Sequence, residues 1–378
     1  MGRSFKLFLA VACSCTLLIT ASNASASNSR AASRAVCGPA DPGAARCHVH
    51  VVDRPNGFVG TPSGLSPATI KSAYGFPVDL TSGAGKTVAI VDAYNDANAE
   101  SDLNAFSTKF GLPSCTTANG CFQKVSQTGG TNYPRGDAGW ALEISLDVQW
   151  AHAIAPGAKV LLVEAKTNSF SNLMAAEDYA KSHAQYVSNS WGGSEFSGES
   201  SYDSHFTQNG VSFFVSAGDA GLPAEYPSSS PKVISVGGTT LQHIGSPAFS
   251  ETGWSSSGGG CSAYEAATTA QSTFGQYPQV GCGGKRATPD VSLDADPASG
   301  VSVYDTVSYS GQTGWFIVGG TSASSPMWAA RSAGAGAVVD AAYVYGTSVT
   351  YRDITSGNNG ASCLVGYDLV TGRGSRTG

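Results

Sequence analysis

The sequence predicts an α/β domain with a mainly parallel central sheet flanked by helices. From residue 86 onward, short apolar runs that end in polar or glycine-rich residues alternate with segments of helical pattern. Runs that are apolar on both faces are typical of strands buried in a parallel sheet. The runs are KTVAIVDAY, AKVLLVEA, YVSNSW, VSFFVSAGD and KVISVGGTT. Functional residues of such sheets gather in the loops at the carboxyl ends of the strands.

Helices are predicted between and around these strands. The segments are residues 97–110, 138–155, 169–184 and 199–208, with a further helix that begins near Ser322. A short helix precedes them in GLSPATIKSAYGFP, because Ser66 suits an N-cap and Pro67 suits the first helical position. Residues 247–290 form a long stretch that is rich in loop residues. The main domain is expected to span residues 61–378.

The first 60 residues differ from the rest of the chain. Arg3 and Lys6 precede an apolar run that small residues follow, which predicts a secretory signal peptide over residues 1–26. The apolar run is shorter than the roughly 20 residues that a membrane anchor needs, so no stable anchor is expected. Residues 27–60 are polar and lack a helical period, which indicates a short pro-segment or an N-terminal arm. We therefore expect a secreted, extracellular protein.

Composition and charge narrow the possible functions. The chain has 378 residues, of which 41% are hydrophobic, 13% are charged and 47 are glycine, as in a globular protein rich in turns. The net charge of −6 argues mildly against nucleic acid as a partner. No nucleotide, nicotinamide or haem motif is present, and we expect a monomer.

The nine cysteines suggest disulfide bonds. Cys13 and Cys15 lie within the predicted signal peptide, for which lipoprotein processing is the alternative. The others form local pairs with one residue left over: Cys37 with Cys47, Cys115 with Cys121, Cys261 with Cys282, and Cys363 alone. Short separations in a secreted chain favour disulfides over metal ligands. A bridge between Cys261 and Cys282 would hold the loop-rich stretch together.

The segment GGTSASSP, at residues 319–326, resembles the turn that presents the nucleophilic serine in subtilisin-type hydrolases. If Ser322 attacks a peptide bond, a neighbouring group has to take its proton, and that group is usually a histidine. None of the six histidines lies in the expected setting, Gly-His-Gly-Thr-His. The chain therefore needs another base.

An apolar helix offers such a base. The segment DAGWALEISLDVQWAHAIAP is apolar nearly all the way round, which predicts a buried helix that Asp137 caps and Pro156 limits. Glu143 and Asp147 lie one turn apart on one face of it. Two ionised carboxylates are costly to bury, so we expect the pair to share a proton and to be able to accept one. A solvated acidic stripe on a half-exposed helix is the alternative.

A third carboxyl follows a predicted strand. VSFFVSAGDAG places Asp219 just beyond the carboxyl end of that strand. A protonated carboxyl there could donate a hydrogen bond to the oxyanion of a tetrahedral intermediate. A carboxylic acid donates only while it is neutral, as it is at low pH. A turn residue or an N-cap is the alternative.

Taken together, these stretches resemble the sedolisin family, the serine-carboxyl peptidases, whose fold is similar to that of subtilisin. The resemblance covers residues 65 to 372, and its motifs are EISLD, SAGDAG with EYPSSSPKVISVGGTT, GGTSASSP, and RDITSGNNG with GYDLVTG. It implies a subtilisin-like three-layer peptidase domain that acts on proteins or peptides. It also implies that Ser322 is the nucleophile and that Glu143 is the base and later the acid. By the same resemblance, Asp147 orients and charges Glu143, and Asp219 stabilises the oxyanion.

The resemblance extends to substrate and calcium sites. Ser190, Trp191 and Gly192, within SNSWGG, resemble the backbone rail that pairs with substrate as an added strand, with a plain strand end as the alternative. Near the C-terminus, four residues match a family Ca²⁺ site: Asp353, the carbonyl of Ile354, Gly366 and Asp368. Carboxylate and carbonyl oxygens suit Ca²⁺. Leu364 replaces a glycine that is usual in this loop, so an altered geometry is expected.

These observations predict a secreted serine-carboxyl endopeptidase. A glutamate base, with an ordinary pKa of about 4.3, implies an acidic rate optimum. Action as a tripeptidyl-peptidase is an alternative, as is a catalytically inactive binding protein on a peptidase scaffold. An ordinary Ser-His-Asp hydrolase that uses Asp92, and a pepsin-type aspartic peptidase, are rival mechanisms that the motifs favour less.

Overall fold

The computed structural model describes residues 32–53, 60–243 and 248–376, together with Met1, Gly2 and Ser4. Most of the predicted signal peptide, including Cys13 and Cys15, lies outside these residues. The chain divides into a unit of residues 1–30 and a unit of residues 31–378, and the second unit is the subject below. Within the described ranges, no helix has both the length and the apolar character needed to cross a membrane.

The elements of this unit alternate along the chain. The helices are α1 (Pro67–Tyr74), α2 (Ala99–Phe110), α3 (Ala138–Ile154), α4 (Phe170–His183), α5 (Thr269–Ser272), α6 (Thr321–Ala335) and α7 (Ala341–Tyr345). The strands are β1 (Ser33–Ala35), β2 (Arg46–Cys47), β3 (His50–Val52), β4 (Thr87–Ala93), β5 (Phe122–Ser126), β6 (Lys159–Ala165), β7 (Tyr186–Asn189), β8 (Trp191–Ser194), β9 (Ser212–Ser216), β10 (Glu225–Tyr226), β11 (Ile234–His243), β12 (Phe249–Gly253), β13 (Gly260–Ala266), β14 (Lys285–Thr288), β15 (Val291–Asp294), β16 (Val301–Tyr309), β17 (Gln312–Gly319), β18 (Tyr351–Arg352) and β19 (Ser375–Arg376). Short 3₁₀ helices cover Glu199–Phe206, Tyr277–Val280 and Pro297–Ser299.

The central sheet is mainly parallel, as the apolar runs predict. Its order is β18-β19-β15-β11-β9-β7-β4-β6-β5, and β12 adds an antiparallel partner to β11. Each of the five predicted strands forms part of it. Helices pack against this sheet, among them α3, α4 and α6. The α/β class with a subtilisin-like layered sheet is therefore confirmed.

Local sequence explains where the helices begin and end. Ser66 caps α1 by accepting from the N–H of Thr69, and Asp137 caps α3 by accepting from Gly139 and Trp140. Helix α3 is buried from residue 140 to its end, as its apolar composition predicts. The predicted helix at 199–208 is instead a 3₁₀ helix, because ESSYDSHF is rich in Ser and Asp, which compete for backbone hydrogen bonds.

Two regions contain more regular structure than their composition suggests. The described part of the loop-rich stretch 247–290 includes β12, β13, β14 and the short helix α5. The polar segment before residue 61 includes β1, β2 and β3. Strand β3 pairs with β17, and β2 pairs with β8, so residues 32–53 form part of this unit. The division of the chain at residue 61 remains a prediction.

The cysteine pairing is confirmed. Disulfides join Cys37 to Cys47, Cys115 to Cys121, and Cys261 to Cys282. Cys363 is free and buried. A group formed by Cys115, Cys121 and His152 is close enough for metal ligands, but the disulfide uses both sulfurs.

Candidate active site

Four elements bring the predicted catalytic residues together. Ser322 is the second residue of α6, directly after β17 and the glycine N-cap of that helix. Helix α6 packs against α3, which carries Glu143 and Asp147 on adjacent turns. Asp219 follows the carboxyl end of β9. The site therefore lies where the sheet topology places it, at the carboxyl ends of parallel strands.

The Ser322 hydroxyl lies in a buried, polar setting. Its Oγ donates to the carbonyl oxygen of Ser190 at 3.4 Å, and the Ser190 hydroxyl donates to the Ser322 carbonyl at 3.5 Å. Both side chains are fully buried. These long, weak hydrogen bonds fix the serine beside β8 without consuming the proton that a base would take.

Glu143 and Asp147 form a buried carboxyl pair. Neither carboxyl has a hydrogen-bond partner among the described residues, and both are fully buried. Burial, then the neighbouring Asp147 and Asp92, raise the pKa of Glu143 well above its ordinary value, while the facing Ser322 hydroxyl acts in the opposite direction. Burial likewise raises the pKa of Asp147. The expected proton-sharing pair thus lies next to the nucleophile.

Asp92 adds a third carboxyl to this pair. It lies near the end of β4 and is fully buried. Burial, followed by the charges of Asp147 and Glu164, raises the pKa of Asp92 well above its ordinary value. The site is therefore an acidic cluster that holds protons, rather than a single carboxylate.

Asp219 has one engaged and one open oxygen. Its Oδ1 accepts from the N–H and from the hydroxyl of Thr321, both at 2.8 Å, which ties it to the first turn of α6. Its Oδ2 is buried and has no hydrogen-bond partner among the described residues. Gly320 leaves room there, because a Cβ at that position would lie 2.7 Å from Oδ2. The open oxygen therefore lies beside the residue that precedes α6, one turn from the nucleophile.

The histidines do not complete a Ser-His-Asp triad. His48 faces Ser216 and Glu225, and His152 faces the carbonyl of Pro113. His50 lies 3.5 Å from Oδ2 of Asp219. Across the described ranges, no hydrogen bond joins any histidine to Ser322 or to Asp92.

The predicted substrate rail is the edge of β8. Trp191 and Gly192 belong to this strand, and Ser190 precedes it. The Trp191 indole donates to the carbonyl of Val91, which anchors the strand to β4. Strand β8 pairs on one side with β10 and on the other with β2, so residues of the N-terminal arm lie along the rail.

The C-terminal residues of the predicted Ca²⁺ site also lie together. The N–H of Gly366 donates to Asp353 Oδ2 at 2.9 Å, and the N–H groups of Val370 and Thr371 donate to Asp368 Oδ1. Burial, with the charges of Asp368 and Asp353, raises the pKa of the Cys363 thiol to about 12. This oxygen-only set is of the kind that Ca²⁺ binds, although backbone N–H groups already occupy much of Asp368.

Two residues near the site were not singled out by the sequence. Glu225 accepts hydrogen bonds from Arg46 and His48, and His48 is itself fully buried beside Ser216. No local motif marks either one, because each contact joins segments about 180 residues apart. The only hint is that the arm contains two histidines close together, in CHVHV.

Comparison with known proteins agrees with this geometry. A model of the subtilase family matches residues 131–359. The chain is 30% identical over 359 residues to kumamolisin of Bacillus sp. (strain MN-32), an alignment that covers 84% of this chain and 63% of that protein. It is 28% identical over 371 residues to sedolisin of Pseudomonas sp. (strain 101), with 84% and 60% covered. The chain thus spans less than two thirds of the length of these relatives.

A solved structure shares the whole architecture. It is that of Pseudomonas sedolisin, a serine-carboxyl proteinase, in complex with two molecules of pseudo-iodotyrostatin. The two structures align with a TM-score of 0.69 at 29% identity, over 84% of this chain and 96% of the other. The chain therefore belongs to the subtilase family and, within it, to the sedolisin family, with its subtilisin-like fold.

Proposed function

We propose that this protein is a serine-carboxyl peptidase that hydrolyses peptide bonds in proteins at acidic pH. The observation that carries the proposal is the position of the Ser322 hydroxyl, which faces the buried carboxyl of Glu143. Glu143 in turn is paired with Asp147, and no histidine bonds to the serine in the described part of the chain. A carboxyl pair that shares a proton supplies a base without histidine.

The residues suggest a complete acyl-transfer cycle. The Ser322 oxygen attacks the carbonyl carbon of the substrate while Glu143 takes its proton. The oxygen of the tetrahedral intermediate becomes negative, and a protonated Oδ2 of Asp219 donates to it. Glu143 then returns the proton to the amine nitrogen as the C–N bond breaks. Water hydrolyses the resulting ester by the same steps, with Glu143 again as base and then as acid.

An acidic optimum follows from the protonation states that this cycle needs. Glu143 must be able to accept a proton, which requires one negative charge on the carboxyl pair. Asp219 must be neutral to donate. Because burial and mutual repulsion raise the pKa values of Glu143 and Asp147, the pair keeps one proton to a higher pH than isolated carboxyls would. Activity should rise as the first carboxyl ionises and fall as Asp219 and the pair lose their remaining protons.

The first test is a pH profile. Purified protein and a Ser322→Ala variant are assayed on casein and on a quenched peptide library from about pH 2 to 9. Cleavage that peaks in acid and disappears in Ser322→Ala supports the proposal. Equal activity in both proteins would contradict a serine nucleophile, and a peak above about pH 8 would contradict the carboxyl base. No cleavage by either protein would favour a non-catalytic scaffold.

Endopeptidase action is the form of the reaction that the cleft favours. Residues 44–52 of the arm run past Ser322, pairing with β8 before it and with β17 after it. The cleft thus accepts several residues of chain on both sides of the nucleophile. A tripeptidyl-peptidase would have to stop the chain a few residues before the reacting bond. Mass spectrometry of products from an N-terminally blocked peptide distinguishes the two forms.

Secretion and calcium binding complete the proposal. Three disulfides suit an oxidising compartment, in line with a signal peptide over residues 1–26 and a peptidase domain that follows. We place a structural Ca²⁺ at the carboxylates of Asp353 and Asp368 and the carbonyls of Ile354 and Gly366. Chelation should then lower the melting temperature, and an Asp353→Asn variant should not respond to the chelator. An equal response in both proteins would rule out this site.

A further inference from the structure

The N-terminal arm crosses the active site in the manner of a bound peptide. Strand β2 lies antiparallel to β8, with Arg46 opposite Gly192 and Cys47 opposite Trp191. Strand β3 lies antiparallel to β17, with His50 opposite Gly319. Because β8 is the proposed substrate rail and β17 leads into the nucleophile, residues 47–50 pass directly by Ser322.

The hydrogen bonds fix which peptide bond faces the nucleophile. The N–H of His48 donates to the Ser190 carbonyl oxygen at 3.2 Å, and the Ser322 hydroxyl donates to that same oxygen. The His48 carbonyl oxygen lies against Gly320, where a Cβ would collide with it and with Oδ2 of Asp219. The carbonyl of His48 is therefore next to both the nucleophile and the proposed oxyanion donor. The bond between His48 and Val49 occupies the place of the bond to be cleaved.

The side chain of His48 shows what the adjoining pocket binds. Its ring is fully buried, with Nδ1 2.7 Å from the Ser216 hydroxyl and Nε2 2.9 Å from Glu225 Oε2. Gly192 and Gly218 make room for the ring and the carboxylate, since a Cβ at Gly192 would lie 2.9 Å from the imidazole. A carboxylate therefore closes the pocket for the residue that precedes the bond.

A second cation approaches the same carboxylate. Arg46, two residues earlier, donates to Glu225 Oε1 at 3.0 Å from the more exposed side of the cleft. Each oxygen of Glu225 thus has its own cationic partner in the arm. Although burial acts to raise the pKa of Glu225, His48 and Arg46 hold it below its ordinary value. The carboxylate stays charged in acid, where the proposed enzyme works.

From this arrangement we infer that Glu225 selects peptides with a cationic side chain immediately before the cleaved bond, namely histidine in acid, arginine or lysine. The inference rests on the proposed peptidase function. A neutral residue in the pocket would leave a largely buried carboxylate without its charged partner, which is costly. A site built to bind a specific polar group rejects analogues that lack it more strongly than an apolar pocket rejects a missing methylene.

The test is a peptide series that differs at one position. Quenched peptides are built on residues 44–52, with serine in place of Cys47 and with histidine, arginine, lysine, glutamine or leucine at the position of His48. At pH 4 we expect kcat/KM to be on the order of ten- to a hundredfold higher for the cationic residues than for glutamine and leucine. Glu225→Gln should reduce this ratio to within about threefold while it still cleaves the leucine peptide.

The control is Glu100→Gln, which removes one acidic group that bonds Thr117 away from the cleft and should keep the preference. A cationic preference below about threefold in the wild type, or one that persists in Glu225→Gln, overturns the inference. If Glu225→Gln does not fold, the wild-type comparison of arginine with its neutral isostere citrulline decides the matter. Failure to cleave any peptide at any pH would instead overturn the proposed function.

Discussion

Glu143 differs from an ordinary glutamate in what surrounds it. It has no hydrogen-bond donor among the described residues, and it shares its buried setting with Asp147 and Asp92. Loss of protons from all three carboxyls would place several like charges in a medium of low polarity, so the cluster retains protons. A retained proton that can move is what a group needs to serve as base in one step and as acid in the next.

Glu143→Gln tests this role. The amide keeps the shape of the side chain but cannot accept the serine proton, so turnover should fall by on the order of 10²–10⁴ with little change in melting temperature. A matched control is Glu177→Gln, which alters a buried carboxyl on α4 outside the site and should keep full activity. Near-full activity in Glu143→Gln would eliminate it as the base.

Asp219 allows a test that separates hydrogen-bond donation from structure. Asp219→Ala removes the proposed oxyanion donor and the cap on Thr321, and it should lower turnover by on the order of 10²–10³. Asp219→Asn keeps an acceptor for Thr321 and supplies an N–H donor at every pH. It should therefore retain more activity than the alanine variant and lose less of it as pH rises. A change within about threefold for alanine would make Asp219 a turn residue.

At the scale of elements, the arm is the part most directly tied to the reaction. It presents His48–Val49 to Ser322, so a catalytically competent protein should cut its own arm there. After incubation at acidic pH, intact-mass measurement should show a chain that starts at Val49. Ser322→Ala should keep the bond intact. A wild-type chain that keeps the bond while it digests casein would show that the arm is held in a non-productive position.

The same elements show how far sequence alone leads. Helix α3 is predicted at 138–155 and found at Ala138–Ile154, because its cap, its apolar surface and its closing proline are all local signals. The residues of the proposed catalytic group come together because each follows a recognisable strand or helix. The arm strands were not predicted, since β2 and β3 are defined by partners more than 140 residues away. Glu225 was missed for the same reason.

At the scale of the whole molecule, buried carboxyls are numerous well beyond the active site. In each case burial is the largest cause of a raised pKa. The pKa is raised to about 6 for Asp96, to about 7 for Glu265, and to about 8 for Glu164, Glu177, Glu199 and Asp305. Unfolding would return these groups to ordinary values near 4. The folded chain therefore binds more protons than the unfolded chain between about pH 4 and 8.

This difference predicts a fold that is most stable in acid. A group whose folded pKa is raised contributes its full stability below its unfolded pKa and loses it as pH rises through the folded pKa. The melting temperature should therefore fall between about pH 4 and pH 8, by on the order of 10 °C. Calorimetry is best done on Ser322→Ala, so that self-digestion does not contribute. A melting temperature that rises over this range would contradict the argument.

Glu177→Gln in the same Ser322→Ala background isolates one of these groups. Glu177 is fully buried on α4, burial raises its pKa to about 8, and its carboxyl has no hydrogen-bond partner among the described residues. The neutral amide has the same size and no charge to desolvate, so it should raise the melting temperature at pH 8 and leave it nearly unchanged at pH 4. The pH dependence of the variant should be shallower than that of the parent. Equal slopes would mean that Glu177 ionises in the folded chain as readily as in water, and the burial of carboxyls would then not explain stability in acid.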